Sequence, residues 1–533
     1  MADYTNPSPT VTQGISNAFE LMFHDDLNRN FARRLQAYRK YWLFYLGKHW
    51  SYVRDPGEPT LTFNYCRRIL DLHTDFTFKG AFKTIIPDDP ATPENEQETR
   101  EFVRLMLDET WRKNQQKLWC MDMGQQGGVT GDVFGRVSWD KTNPIEDPFA
   151  RVDIIPSHLC FPEFGGPHGV DRKKLKRILI VNPVYRNNDR GPIAGVFFTR
   201  KTKNQGALEL VIESEEWTAP VYDEKTGKLI QPAMQIFYRD KEKIWEKVNP
   251  LGEIPVVHIP NYPLSGEFYG ISDLVDAVEL NRELNEKATD ISDIINYHGS
   301  PTTILTGAKL AALEKGANRI WGLPDGANVF NLELTGDLGA ATAHWQTLKE
   351  VLLELTNTPE QALGKTQAVS NTSGVALQIQ YLPMMEKRDV KVLTYGSGIR
   401  LINRLLLKTT ELADPAFQKK MSKLKGNPYR NDVIFADPMP QDELRELEKA
   451  ILKLDAGLST RRRELEKLGH SQAEASAILD DAAKEMEEDT ESMFGAGTGV
   501  DMRGKKTAQR GGAPETRGAK IVATQQKKTT TGK

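Results

Sequence analysis

Residues 270–300 read GISDLVDAVELNRELNEKATDISDIINYHGS, and two opposed stripes run through them at one helical period. Apolar residues recur at Ile271, Leu274, Val275, Val278, Leu284, Ala288, Ile291 and Ile295, while carboxylates recur at Asp276, Glu279, Glu283, Glu286, Asp290 and Asp293. At about 100° per residue the carboxylates fall opposite the apolar row. The pattern predicts one long helix that packs on one side and carries a ladder of negative charge, about 25 Å long at 1.5 Å per residue, on the other. Like charges three and four residues apart repel, and Arg282 and Lys287 offset part of that cost. Two readings of this face stay open from the residues alone: an ordinary solvated surface, or a wall past which a polyanion can move without sticking.

Around that helix the chain is too long for one core. Its 533 residues predict several domains. A formal net charge of −3 argues against a surface that grips nucleic acid everywhere. Cys66, Cys120 and Cys160 are widely spaced, without a CxxC pair, which fits neither a disulfide framework nor a zinc site. No apolar run reaches the roughly 18–20 residues that span a bilayer, so no membrane insertion is expected. The opening MADYTNPSPTVTQGIS lacks the basic start and apolar centre of a signal peptide, and a soluble chain made inside the cell is expected.

Upstream, helical spacing predicts helices over about 26–50 (Phe31, Leu35, Tyr38, Trp42, Tyr45), 64–78 and 94–121. In the last of these, Phe102, Leu105, Met106, Trp111, Leu118 and Trp119 mark the buried side. Residues 130–262 change to alternating β-branched segments such as VFGRVSWD, KRILIVNPVY, GVFFTRK, LELVIES and MQIFYRD, separated by turn residues. Downstream of the acidic helix, 301–336 reads as short strands and turns around a helix-like LAALEKG, with Leu323-Pro324-Asp325-Gly326 a turn. A helix is expected at 340–356, with Trp345, Leu348, Leu352 and Leu355 on one face. An exposed polar loop at 364–374 follows, then a helix over 375–412 interrupted and kinked by Pro383. One extended piece, 431–440, precedes a helical stretch over 441–488. The last forty or so residues, rich in Gly, Thr, Lys and Arg, cannot bury a core and are expected to be disordered.

Motifs for chemistry are missing. Gly364-Lys365-Thr366 resembles the end of a phosphate-binding loop, but the leading glycine's position holds Pro359 and a helix is expected before it. GGVTGDVFG (127–135) has no dinucleotide-binding spacing and reads as a glycine-rich strand entry. The nine histidines are scattered, without HExxH or HxH. The acidic row lies along one helix, whereas a metal site needs convergence from several elements. No catalytic residue, cofactor or metal is therefore assigned, and an enzyme is not expected.

The order of parts resembles the portal proteins of tailed bacteriophages, dodecameric head-to-tail connectors through which a genome enters and leaves a capsid. The stretch that carries the resemblance is GEIPVVHIPNYPLSGEFYGISDLVDAVELNRELNEKATDISDIINYHGSP, 252–301, supported by NYCRRILDLHTDFTFKG, GDVFGRVSWD and NTSGVALQIQYLPMMEKRDVK. It covers about residues 30–440.

The resemblance implies an α+β phage portal fold, with wing, stem, clip and helical crown, long helices around a central channel and a β-rich wing. Residues 1–25 would be a flexible segment, 26–268 the wing, 269–299 the stem helix, 300–338 the clip and 339–358 the second stem helix. Residues 359–374 would form the tunnel loop, 375–440 the kinked spine helix with its return strand to the wing, and 441–490 the crown. A disordered basic, glycine-rich tail, 491–533, lies beyond what the family pattern predicts. Lys365, Thr366, Gln367, Ser370 and Asn371 would meet DNA on the tunnel loop. The channel's acidic face would be Asp276, Glu279, Glu283, Glu286, Asp290 and Asp293, with its orientation toward the channel or outward left open. Arg319, Trp321, Leu323 and Asp325 would dock partners at the clip. Implied partners are further copies in a ring, twelve being the family's usual number, the terminase large subunit, head–tail adaptor or tail proteins, the major capsid and scaffolding proteins, and double-stranded DNA in passage. The implied place is the capsid vertex of the virion, after assembly in the host cytoplasm. Two other readings remain: a nucleotide-driven packaging motor or nuclease, and a tail or adaptor ring component.

Overall fold

The computed structural model describes residues 29–50, 60–87, 94–142, 146–165, 171–187, 191–192, 208–223, 226–239, 242–299, 303–307, 326, 328–331, 338–364, 374–424, 427–438, 443–467 and 475–484. Helix α1, Arg29–Tyr45, buries Leu35, Tyr38, Trp42 and Tyr45 as its spacing predicts. It ends at Gly47, whose φ of 79° lets the Lys48 N–H turn back to the Leu43 carbonyl at 2.8 Å. Helix α2, Tyr65–Phe78, is capped by Asn64, whose side chain accepts from the Arg67 N–H. Strand β1, Phe82–Ile85, follows.

The helix expected over 94–121 is two helices, α3 (Glu94–Lys113) and α4 (Gln116–Thr130). Asn114 makes the break. Its side chain donates to the Thr110 and Ala150 carbonyls at 2.8 and 2.9 Å and accepts from the Val152 N–H at 2.8 Å, and Gln115 takes φ 52°. Val103, Leu107, Trp111 and Trp119 are buried, whereas Leu105 and Leu118 are exposed, which corrects the expected inner face. Gly127 and Gly128 belong to α4 rather than to a strand entry. A Cβ at Gly127 would stand 1.9 Å from the Tyr395 hydroxyl. Gly131, at φ 87°, ends the helix.

Two antiparallel sheets follow. Strands β2 (Asp132–Asp140) and β3 (Phe149–Ile155) pair, and β12 (Val256–Pro260) lies on the other side of β2. The larger sheet has the order β11-β10-β7-β5-β4 with β6 pairing β5. Its strands are β4 (Cys160–Gly165), β5 (Asp171–Asn187), β6 (Gly191–Pro192), β7 (Leu208–Thr218), β10 (Met234–Arg239) and β11 (Glu242–Val248). Arg177↔Thr218 through Asn187↔Leu208 set the long β5–β7 register. A small hairpin, β8 (Val221–Tyr222) with β9 (Leu229–Gln231), branches off. Strand β11, EKIWEKV, is solvent-exposed at every position, and its charges hide the alternation that marks a strand in sequence. GVFFTRK (195–201) and LAALEKG (310–316) lie outside the described residues.

Helix α5, Ala277–Gly299, and helix α6, Leu338–Leu355, form an antiparallel hairpin. Between them, β13 (Thr303–Thr306) pairs β14 (Asn328–Asn331). Helix α7, Gly374–Ala413, continues through Pro383 without the expected interruption, spanning about 60 Å at 1.5 Å per residue. Helix α8, Pro415–Met421, and strand β15, Asp432–Phe435, complete this part. β15 pairs antiparallel with β1, Phe82 opposite Phe435, so the late extended segment does return to the N-terminal part of the chain.

The main core lies where α7 crosses the β12-β2-β3 sheet, joining Ile399, Ile402, Leu405 and Leu406 to Val133, Val137, Val257 and Ile259. A second core gathers the C-terminal half of α1, helix α2 and the hairpin through Trp42, Ile69, Leu70, Val278, Leu284, Leu352 and Leu353. Everything to this point belongs to one compact unit, Met1–Pro438; the second unit is Met439–Lys533. Within the latter stand helices α9 (Glu443–Asp455) and α10 (Arg461–Lys467), and residues 475–484 are helical. The described elements make an α+β architecture.

Candidate channel surface on the α5–α6 hairpin

The inner face of α5 is built from two kinds of residue. Leu274 just before α5, and Val278, Leu284 and Ala288 along it, are buried as the spacing predicts, but Val275 and Ile295 are exposed. Between the apolar positions stand Asn281, Asn285 and Thr289, each at most 1% exposed. At i, i+4 and i+8 they share one stripe, and they stitch the helix to the extended segment before α2. Asn281 accepts from the Cys66 N–H at 3.0 Å and donates to the Phe63 carbonyl at 2.8 Å. Asn285 accepts from the Phe63 N–H at 2.8 Å and donates to His49 Nδ1 at 2.6 Å, while Thr289 accepts from the Leu61 N–H at 3.2 Å. Burial holds His49 below the ordinary imidazole range, and its Nε2–H facing the Phe44 carbonyl at 2.9 Å leaves Nδ1 as the acceptor. From α6, the Trp345 indole N–H donates to the Leu284 carbonyl at 3.1 Å, clasping the two helices.

On the outer side, the acidic row is neither bare nor wholly helical. Asp276 lies in the turn before α5, because Ser272 and Asp273 are tied into the core and the helix starts only after them. Along α5, Arg282 bridges Glu279 at 2.6 Å and reaches Glu286 at 3.9 Å. Lys287 likewise joins Glu283 at 3.7 Å and Asp290 at 3.2 Å. Lys40 of α1 adds an ion pair to Glu279, and its hydrogen bond holds that carboxyl below its ordinary range. The Asp290 contact raises Lys287. Asp293 has a partner as well. Exposed pairs of this kind contribute about 0–1 kcal/mol each. They shape the field more than the stability, halving the excess of negative charge that the carboxylates alone would present.

Other candidate residues fall elsewhere. Lys365, Thr366, Gln367, Ser370 and Asn371 lie outside the described residues, as do Arg319, Trp321, Leu323 and Asp325. Their flanks are described. Gly364, at φ 89°, closes a short 3-10 turn over Glu360–Leu363, so the segment feeding Gly364-Lys365-Thr366 is helical, unlike the strand that enters a phosphate-binding loop. Gly326 has φ 91°.

Both roots of the hairpin converge on a buried charge cluster that sequence reasoning missed. At the entry, Asp273 is paired with Lys391 Nζ at 2.5 Å and Lys387 Nζ at 3.3 Å, both from α7. Burial opposes ionisation of Asp273, yet the two lysines outweigh it and hold the carboxyl well below its usual range. At the exit, Thr358 Oγ1 lies 3.1 Å from His73 Nε2, and burial with the nearby Lys387 pushes that imidazole down to about 3. The signal available in sequence was Lys387 and Lys391 four residues apart on an otherwise core-facing stripe of α7.

The stretch quoted as PVVHIPN…YGISDL forms the entry's second anchor. Asp132, fully buried, accepts from the Tyr38 hydroxyl and from the Gly270 N–H at 3.0 Å, and lies 2.8 Å from His258 Nε2. Asn261 donates to the Ile271 carbonyl at 3.1 Å and accepts from the Tyr395 hydroxyl at 2.8 Å. Ser272 donates to the Val129 carbonyl at 2.7 Å. Gly270 and Ser272 are thus tied to the start of β2 and the end of α4, and Asn261 to Ile271 and to α7. Among the described residues no cluster of His, Cys, Asp and Glu is arranged to hold a metal ion, and no helix is long and apolar enough to cross a membrane.

No curated protein matches the chain. A family model described as phage portal protein, SPP1 Gp6-like, matches residues 170–491. That match begins at the larger sheet, takes in the whole hairpin and α7, and runs past the last described helical residues, covering more than half of the sequence. The chain therefore belongs to the SPP1 Gp6-like family of phage portal proteins.

Proposed function

We propose that copies of this chain close into a ring at one capsid vertex and that double-stranded DNA is packaged, and later ejected, through its centre. The observation that carries this reading is the portal-family match over residues 170–491, whose bounds enclose α5, β13–β14, α6 and α7. In this account the α5–α6 hairpins are the stem around the channel, the β13–β14 end is the clip that docks the terminase and later the adaptor or tail proteins, and residues 359–374 form the tunnel loop. The β-rich part is the wing toward capsid and scaffolding proteins. Twelve is the number of copies expected of the family.

The electrostatics suit a conduit. A duplex carries one negative charge per about 1.7 Å of axis, and tight contacts to every phosphate would stall it. A stem wall with more carboxylates than cations repels the strand gently on all sides, and the Arg282 and Lys287 pairs keep neighbouring subunits from repelling one another. Lys365, Thr366, Gln367, Ser370 and Asn371 are the proposed contacts that centre the strand. The test reverses Glu279, Glu283, Glu286 and Asp290 to Lys. Rings should still assemble while packaged DNA falls; packaging at the wild-type level places that face outside the channel. Turnover of ATP by the purified chain, lost in Lys365→Ala, would instead favour a motor.

A further inference from the structure

The two buried lysines of α7 do unequal work. Lys391 and Asp273 are each 2% exposed in their side chains, and Asp273 is the one hairpin-root group that Lys391 contacts among the described interactions. Lys387, one turn earlier, is 12% exposed and touches both roots. Its Nζ lies 3.3 Å from Asp273 Oδ1 at the entry and 3.5 Å from the Thr356 carbonyl oxygen at the exit of α6.

Charge explains why one carboxylate faces two ammonium groups. Burial pulls Lys391 below its ordinary range while Asp273 opposes the shift; the carboxylate offsets one ammonium charge, and His73 beside them stays neutral. The remaining positive charge meets the carbonyl end of α6, equivalent to about half an elementary negative charge. That end is shaped for the contact. The helix closes with the Thr356 N–H on the Leu352 carbonyl at 3.2 Å, Asn357 turns the chain at φ 55°, and the Thr358 N–H reaches the Leu353 carbonyl at 2.9 Å.

We propose that Lys387 is a positioning residue, a latch that holds the C-terminal turn of α6 against the entry of α5 through α7, beside the permanent Lys391–Asp273 anchor. The long contact to Thr356 can open while the short pair to Asp273 stays closed, so the exit root swings on a fixed entry root. For its use this rests on the conduit reading, where it would set the tilt of each stem hairpin against the spine helix as DNA passes.

The test is hydrogen exchange by mass spectrometry on the full-length protein. Lys387→Met keeps the aliphatic stem and removes the charge. Amides of 352–364 should exchange about tenfold faster, a local opening, while those of 270–280 stay within about twofold of wild type. Lys387→Arg should restore protection, and Lys391→Met should loosen both roots together. Unchanged protection at 352–364 in Lys387→Met, or an equal rise at both roots, overturns the latch. In a packaging assay, Lys387→Met rings with faster exchange should package less DNA; packaging at the wild-type level overturns the latch's part in translocation. A wild-type chain that forms no ring overturns the conduit reading instead, and the exchange result is independent of it.

Discussion

Lys391 Nζ stands 2.5 Å from the Asp273 carboxylate in a site that excludes water from both side chains. Removing Asp273 strands two buried ammonium groups, a loss of about 3–5 kcal/mol, whereas removing Lys391 leaves Asp273 paired with Lys387 at 3.3 Å. Asp273→Asn should lower the urea midpoint strongly and Lys391→Met less, and the double variant should lose clearly less than the sum. Additive losses in that cycle would show that the pair does not couple the hairpin to α7.

The polar stripe of α5 makes a second prediction. Asn285→Ala strips the Phe63 N–H of its acceptor and His49 of its donor, and a buried unsatisfied group costs about 1–3 kcal/mol. Asn281→Ala, which frees the Cys66 N–H and the Phe63 carbonyl, should cost a similar amount. Asp290→Asn, on the exposed side, should change stability by less than about 0.5 kcal/mol. Urea unfolding of the three variants checks the contrast.

Gly398 reports how closely α7 approaches the sheet. A Cβ there would lie 2.4 Å from Ile259 Cδ1 and Cγ1, and overpacking of this kind costs about 1–3 kcal/mol. Gly398→Ala should therefore destabilise. Ile259→Ala, which empties the same space, should make Gly398→Ala far less harmful when the two are combined. Equal effects of Gly398→Ala in both backgrounds would mean the contact is not tight.

Acid should weaken the fold through its histidines. Burial pushes His73 down to about 3 and His158 to about 4, with Lys387 and Arg34 respectively adding to the shift. In the unfolded chain both take a proton near the ordinary value of 6.5. Between those values the unfolded state binds more protons, so stability is whole above about 6.5 and declines as pH falls toward 4. Unfolding free energy measured from pH 7.5 to 4.5 should show this slope, and His73→Gln should flatten it.

Where residues bury what their type suggests, the sequence was readable. Helix α2 stands within a residue of its expected place, β15 starts within a residue of the expected 431 but ends at Phe435, and Leu274, Val278 and Leu284 face the core. The resemblance rested on residues such as Asn261, Gly270 and Ser272: the Asn261 side chain bonds Ile271 and Tyr395, a Cβ at Gly270 would lie 2.3 Å from the Gly131 carbonyl, and the Ser272 hydroxyl bonds Val129. What was not legible is polar chemistry turned inward. Asn281, Asn285 and Thr289 look like solvent-facing residues in any hydropathy pattern, and Lys387 and Lys391 look like surface lysines. The break at Asn114 needed partners on β3, more than thirty residues away. The acidic row was visible as a pattern, but its pairing with Lys40 depended on how α1 packs.

The central claim, a ring that conducts DNA, is tested most directly by cryo-electron microscopy of the purified full-length chain. The account predicts closed rings whose central opening admits a duplex and is walled by the α5–α6 hairpins. A chain that stays monomeric under conditions that support head assembly, or rings with a blocked centre, would contradict it.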